Sequence, residues 1–379
     1  MWKFLKRILF KFDAEQVHHF VILLISIGIR LKNIPLRIVS GGIGGDSSNG
    51  SIGDADKQYH RCPRVFGMEF CSRVGLAAGF DKNCEVIEGL PALGFGFAEI
   101  GTVTPRPQPG NERPRMFRIA SETALFNRLG FNNLGAEIVA ERLAAAKSKL
   151  PVNFRVGVNV GKNKDTPLEE ARKDYYRAAS CFKGLADYLV INVSSPNTPG
   201  LRSLQTLESL KPIVHECMDL VSGWAKFTPL LIKLSPEFPT AMQEDELEKT
   251  IKTIESWGIQ GWVLTNTLAG TYPLKLAKNL TELSSPPPLQ GGWSGNPVRE
   301  LSKKSLLETR KFSQKPVISV GGITSTEEAV SRIRAGADLI QIYTGWVFHG
   351  PRFPRKLDLG IARFESQEPQ NKKSPRAEL

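Results

Sequence analysis

One pattern recurs eight times between residues 70 and 365: a short apolar run ends in small or polar residues, and a helical segment follows. The runs are VGLAAG (74–79), FAEIGTV (97–103), RVGVNVG (155–161), YLVINVSS (188–195), LLIKLSP (230–236), GWVLTNT (261–267), PVISVGG (316–322) and LIQIYTG (339–345). Strands alternating with helices imply a parallel sheet. Eight such units predict an α/β fold of the (β/α)8 TIM-barrel type, with an open doubly wound sheet as the alternative. No G-x-G-x-x-G follows the first run, which counts against a dinucleotide-binding sheet.

A barrel places its chemistry where strands end. The ends carry Lys82, Thr102, Asn159, Asn192, Ser195, Lys233, Thr265 to Thr267, Gly321, Gly322 and Tyr343 to Gly345. Lys233 sits inside an apolar run, where an ammonium is costly unless it is paired. It either reaches the rim or faces a ligand that carries or develops negative charge. The asparagines donate and accept together, which suits a flat amide-bearing heterocycle. SVGGITS and IYTG, after the last two strands, offer close-approach backbone for a phosphate. Asp81 and Glu99 are the only carboxylates at these positions, so paired-carboxylate hydrolysis is disfavoured, and no His/Asp/Glu cluster suggests a metal.

The N-terminus differs. In MWKFLKRILFKFDAEQVHHFVILLISIGIRLKN, apolar residues interleave with Lys3, Lys6, Arg7 and Lys11, and Asp13 with Gln16 marks a helix start. The apolar run FVILLISIGI is short of the roughly 20 residues a span needs. Two basic helices with excess apolar surface suit the membrane interface; a hairpin packed on the body is the alternative. We divide the chain into this helical segment (1–39), a Gly/Ser/Asp-rich linker (40–58), the barrel (59–364) and a polar, disordered tail (365–379). The net charge of +12 favours anionic partners or simply solubility. Five cysteines without metal-ligand spacing imply reduced thiols.

GLAAGFDKN, EIGTVTPRPQPGNERPRMFR, NRLGFNNLG, GVNVGKNKDT, INVSSPNTPGLRSLQ, LTNT, GGWSGNP, SVGGITS and IQIYTGWVFHGP together resemble dihydroorotate dehydrogenase, in its quinone-linked, membrane-associated class. The resemblance runs from about residue 12 to about residue 352, in order. It implies oxidation of (S)-dihydroorotate to orotate in pyrimidine synthesis, with FMN as cofactor and ubiquinone or menaquinone as acceptor. It places FMN against Ala78, Gly79, Phe80, Asp81, Lys82, Thr102, Asn159, Asn192, Lys233, Thr265, Gly295, Gly322, Tyr343 and Thr344. Orotate would meet Lys82, the segment Asn127, Arg128, Leu129, Gly130 and Phe131, and then Asn192, Asn197, Asn266 and Thr267. Ser195 matches the catalytic base, where the cytosolic class has a cysteine. His18 matches a quinone-tunnel histidine and Arg118 its arginine, although His19 adds a second imidazole and Ala14 replaces the family's proline. The loop from Pro196 to about Gln205 would be a lid. The expected location is peripheral, on the cytoplasmic face of a bacterial inner membrane, with no nucleic-acid partner.

Two other functions fit parts of the pattern. A tRNA dihydrouridine synthase would need a cysteine base and an RNA-binding domain after the barrel, and only a short tail remains. A non-enzymatic membrane module on an inactive barrel would bind no flavin.

Overall fold

The computed structural model describes residues 2–41, 62–271 and 290–367. The expected linker beyond Gly41, the insert KLAKNLTELSSPPPL and the tail beyond Gln367 lie outside these residues.

Eight parallel strands close into a barrel, in the order of the eight sequence runs, with Leu339–Ile342 pairing back onto Val74–Leu76. Closure excludes the open-sheet alternative. Most strands are shorter than the runs. Tyr188–Asn192 ends before Val193, and Gly261–Leu264 ends before Thr265. The terminal small and polar residues leave the ladder and form the mouth instead.

Along the second strand, alternate residues face one way. Phe97 joins Phe70, Tyr188, Val190, Leu231 and Leu339 in an apolar layer. Two residues on, Glu99 is fully buried among polar groups. The apolar layer is sealed by a hairpin the sequence reading missed, Arg64–Val65 with Met68–Glu69. Its turn residues Phe66 and Gly67 both have positive φ, as a two-residue hairpin turn requires. Burial of the Phe66 ring offsets the strain of that backbone.

At the other end lies a four-stranded antiparallel sheet, also unforeseen, ordered Leu268–Thr271, Gln290–Gly295, Ala124–Asn127, Met116–Ile119. The segment EVIEGLPALG, expected as a helix, is two 3-10 turns, Ile87–Gly89 and Pro91–Leu93. Pro91 cannot donate to a continuing helix. Gly89 also lets the N-terminal helices approach: a Cβ there would lie 2.7 Å from Ile25 Cγ2.

Those helices are α1 (Trp2–Leu9), α2 (Ala14–Arg30) and α3 (Ile34–Ser40). The Asp13 carboxylate caps α2 by accepting from the amides of Glu15 and Gln16. Ile22, Ile25 and Leu36 pack into the main core beside Val86, Ile87 and Leu90. The opposite faces are not covered. Among the described residues, eleven of the seventeen exposed large apolar side chains lie between Phe4 and Ile38. Among the described residues, no helix is long and apolar enough to cross a membrane. Two boundaries shift. Ser40 belongs to α3, where its buried hydroxyl donates to the Ala92 carbonyl (2.8 Å). The last helix, Phe353–Gln367, runs past residue 365 because Phe353, Leu357 and Ile361 are buried.

Candidate functional site

A cleft of about 1080 Å3, counting its open mouth, lies between the strand ends and the antiparallel sheet. Its floor is a polar cluster. Glu99 accepts from Asn159 Nδ2 (2.8 Å), Gln341 Nε2 (2.8 Å) and Lys233 Nζ (3.3 Å). Lys233 thus resolves its sequence anomaly: it is buried, charge-paired, and still lines the cleft.

Above it, Asn192 donates to Thr102 Oγ1 (2.8 Å) and Asn159 Oδ1 (3.0 Å). Its own Oδ1 accepts from the Ser194 hydroxyl (3.1 Å) and from Asn266 Nδ2 (3.2 Å). Asn197 Nδ2 donates to Asn127 Oδ1 (2.9 Å), and its amide donates to Ser195 Oγ (3.2 Å). Ser195, Asn127, Leu129, Gly130, Phe131, Asn266 and Thr267 all line the cleft. Arg202 straps the loop down, donating to the carbonyls of Ser194 (3.1 Å) and Thr267 (2.9 Å). The expected lid is therefore smaller than 196–205. Leu201–Gln205 is a 3-10 helix with Leu201 and Leu204 buried.

The far wall holds Gly295, Gly321, Gly322, Tyr343 and Thr344. Gly322 has φ +74°, and a Cβ on it would lie 2.3 Å from Arg299 Cα. Arg332, itself buried, fixes this turn by donating to the Gly321 and Arg299 carbonyls (3.0 and 2.8 Å). Ser294 and Thr344 hydroxyls lie 2.8 Å apart on the same wall. Gln341 Oε1, Tyr343 Oη and Asn197 Oδ1 are buried without a partner among the described residues. Unmade hydrogen bonds at such positions are costly, and a bound polar heterocycle with a phosphate arm would satisfy them. The residues present fit a flavin nucleotide.

Lys82 lines this cleft and a second, smaller one under α2. Burial pulls its ammonium down to about 8, against the opposing pull of the Glu15 carboxylate. Burial raises the Glu15 carboxyl, but the Arg115 and Arg113 guanidiniums outweigh it and hold it below its usual value. Arg115 bonds Glu15 (2.7 Å) and the Asn111 carbonyl (2.8 Å), and Asn111 donates to the Asn197 carbonyl (3.2 Å). A continuous chain of bonds therefore joins α2 to the Ser195 loop.

Both imidazoles line the second cleft, at different depths. His18 packs edge-on against Phe80 (4.7 Å), while His19 is 59% exposed. Burial, then Lys82, lowers His18 to about 3, so it is neutral near pH 7.

The expected contact residues divide by position. Ala78, Gly79, Thr102 and Thr265 line the main cleft, but Phe80, Asp81, Asn159 and Arg128 do not. Phe80 packs on His18 and Trp346. Asp81 is consumed by the amides of Glu85 (2.7 Å) and Val86 (3.0 Å). Asn159 acts from behind, through Thr102 and Asn192. Arg118 lines neither cleft; it donates to the Phe12 carbonyl and lies over the Phe10 ring (4.8 Å). The sequence reading also missed Gln341 and Ser294. A glutamine inside LIQI is the same kind of anomaly as Lys233 and was available as a signal.

A family model for dihydroorotate dehydrogenase matches residues 61–364. A dihydroorotate dehydrogenase (quinone) of Natronomonas pharaonis is 40% identical over 366 residues, covering 96% of this chain and 95% of its own. One from Anaeromyxobacter dehalogenans is 38% identical over 376 residues, with 96% and 93% covered. The crystal structure of the Eimeria tenella enzyme in complex with ferulenol is similar at a TM-score of 0.77 and 31% identity, with 94% and 92% covered.

Proposed function

This chain belongs to the dihydroorotate dehydrogenase family and oxidises dihydroorotate with a quinone as acceptor, and we propose FMN as its cofactor and Ser195 as its base. The observation that carries the reading is the cleft itself: Ser195, four asparagines and Lys82 face one another, with no His or Asp among the lining groups and Glu99 held behind Lys233. FMN, when bound, supplies the acceptor for the hydride that leaves C6 of the substrate.

The protein's part is to hold the substrate and take its C5 proton. Lys82 meets the carboxylate. Asn127, Asn192, Asn197 and Asn266 bond the ring amides, and each is pre-set by a neighbour, which limits reorganisation. Ser195 Oγ accepts the proton. A hydroxyl is a weak base, so it needs a dry pocket and a relay. Phe131 walls that pocket and Thr198, three residues on, is buried. Lys233, with Glu99 behind it, presents positive charge to the cofactor's pyrimidine end.

The N-terminal helices are the membrane module, peripheral and on the cytoplasmic face. Their uncovered apolar faces beside Lys6, Arg7 and Lys11 support this. Quinone reaches the flavin through the cleft at His18 and Lys82, and Arg118 stands at the outer edge of α1 and α2. The test is spectroscopic. Purified protein should be yellow, bleach anaerobically with dihydroorotate, and regain colour with a quinone. Recovery with NAD or fumarate but not with quinone would refute the acceptor.

A further inference from the structure

The hairpin sealing the closed end carries two cysteines that the oxidation of dihydroorotate does not use. Its register pairs Arg64 with Glu69 and Val65 with Met68. The Phe70 amide donates to the Pro63 carbonyl (2.9 Å), which extends the ladder by one pair. The next pair in that register is Cys62 with Cys71.

This is a non-hydrogen-bonded position. The Cys71 amide turns away and donates to the Asn153 carbonyl (2.9 Å). Such positions bring opposed Cα atoms to about 4.5 Å, and directly opposed side chains share a face. Burial alternates to match. Pro63, Val65 and Phe70 are buried, whereas Cys62, Arg64 and Glu69 are exposed and Cys71 is half-buried. The pair thus lies on the face opposite Phe70, with Cys62 exposed and Cys71 half-buried against the outer core. Burial, then Cys62, raises the Cys71 thiol to about 12, and burial raises Cys62 as well. Both cysteines are free thiols here.

We propose that Cys62 and Cys71 form a reversible redox site, closed into a cross-strand disulfide by exchange with a small-molecule disulfide of the oxidised-glutathione class. The more exposed Cys62 thiolate attacks one sulfur of RSSR and releases RS⁻. The Cys71 thiol then attacks Cys62 Sγ as it gives up its proton, forming the intrachain bond and releasing the second RS⁻. The two thiol protons end on the two released thiolates. The protein gives up two electrons and RSSR takes them. A Cα separation near 4.5 Å is at the short limit for a disulfide, so the bond is easily reduced again. It would lock the plug at the end of the barrel opposite Ser195, leaving the chemistry alone.

The test uses the full-length flavin-loaded protein, fully reduced and then exposed to oxidised glutathione. Remaining thiols are alkylated and peptides mapped without reductant. The expected product is a Cys62–Cys71 crosslinked peptide, two hydrogens lighter than the reduced pair and reopened by dithiothreitol. Dihydroorotate oxidation should stay within about twofold, and Cys62→Ser should give no crosslink. Two separate glutathione adducts, intermolecular Cys62 dimers only, or unreacted thiols would each overturn the proposal.

Discussion

At the closed end of the barrel, Phe66, Phe70, Phe97 and Tyr188 fill the space between strands. At the open end, Thr102, Asn192 and Thr265 follow on from the same strands and surround a cleft. The fourth strand makes the contrast within one segment: Tyr188 packs the plug, and Asn192 and Ser195 line the site. Stability and chemistry are thus divided along the barrel axis. Glu99 and Lys233 mark the border, where a buried ion pair forms the floor of one region and the roof of the other.

Substitutions at the two ends should therefore fail differently. Phe70→Ala empties a fully buried ring and should cost about 4 kcal/mol, read by chemical denaturation, with kcat of the folded fraction unchanged. Loss of kcat at full stability would break the contrast. Glu15→Ala strands the buried Arg115 charge and should cost about 3 kcal/mol. Hydrogen exchange should show that loss in α2 and the Ser195 loop, which the Arg115–Asn111 bonds connect, and leave the plug protected.

Lys82→Met should raise KM for dihydroorotate roughly tenfold or more, since a charge-assisted bond is lost, at little cost in stability. Because Lys82 titrates at about 8 in the free protein, it is charged below that pH and neutral above it. Orotate affinity should then weaken roughly tenfold per unit as pH rises beyond it, and Lys82→Met should flatten that slope. Cys62→Ser, exposed at the plug's rim, should change stability by less than about 0.5 kcal/mol under reducing conditions.

The barrel was legible because each strand repeats one local signal, an apolar run with a polar stop. Lys233 was legible as a cation in an apolar strand. The antiparallel sheet was not, because Ala124–Asn127 pairs with Gln290–Gly295 across more than half of the barrel sequence. Strands of four to six residues with such distant partners leave no local period. The plug hairpin is shorter still. Phe80, Asp81, Asn159, Arg128 and Arg118 came from matching motifs, and none of them lines the main cleft. The geometry gives Asp81 to backbone amides and Asn159 to the asparagine network.

The assignment of Ser195 is open to one direct measurement: anaerobic stopped-flow reduction of the bound flavin by dihydroorotate in Ser195→Ala. The variant should keep its flavin and its stability, because among the described residues Ser195 accepts only the Asn197 amide. Its reduction rate should fall by a factor on the order of 10²–10⁴, as expected when a positioned base is removed. Reduction at close to the wild-type rate would contradict the account.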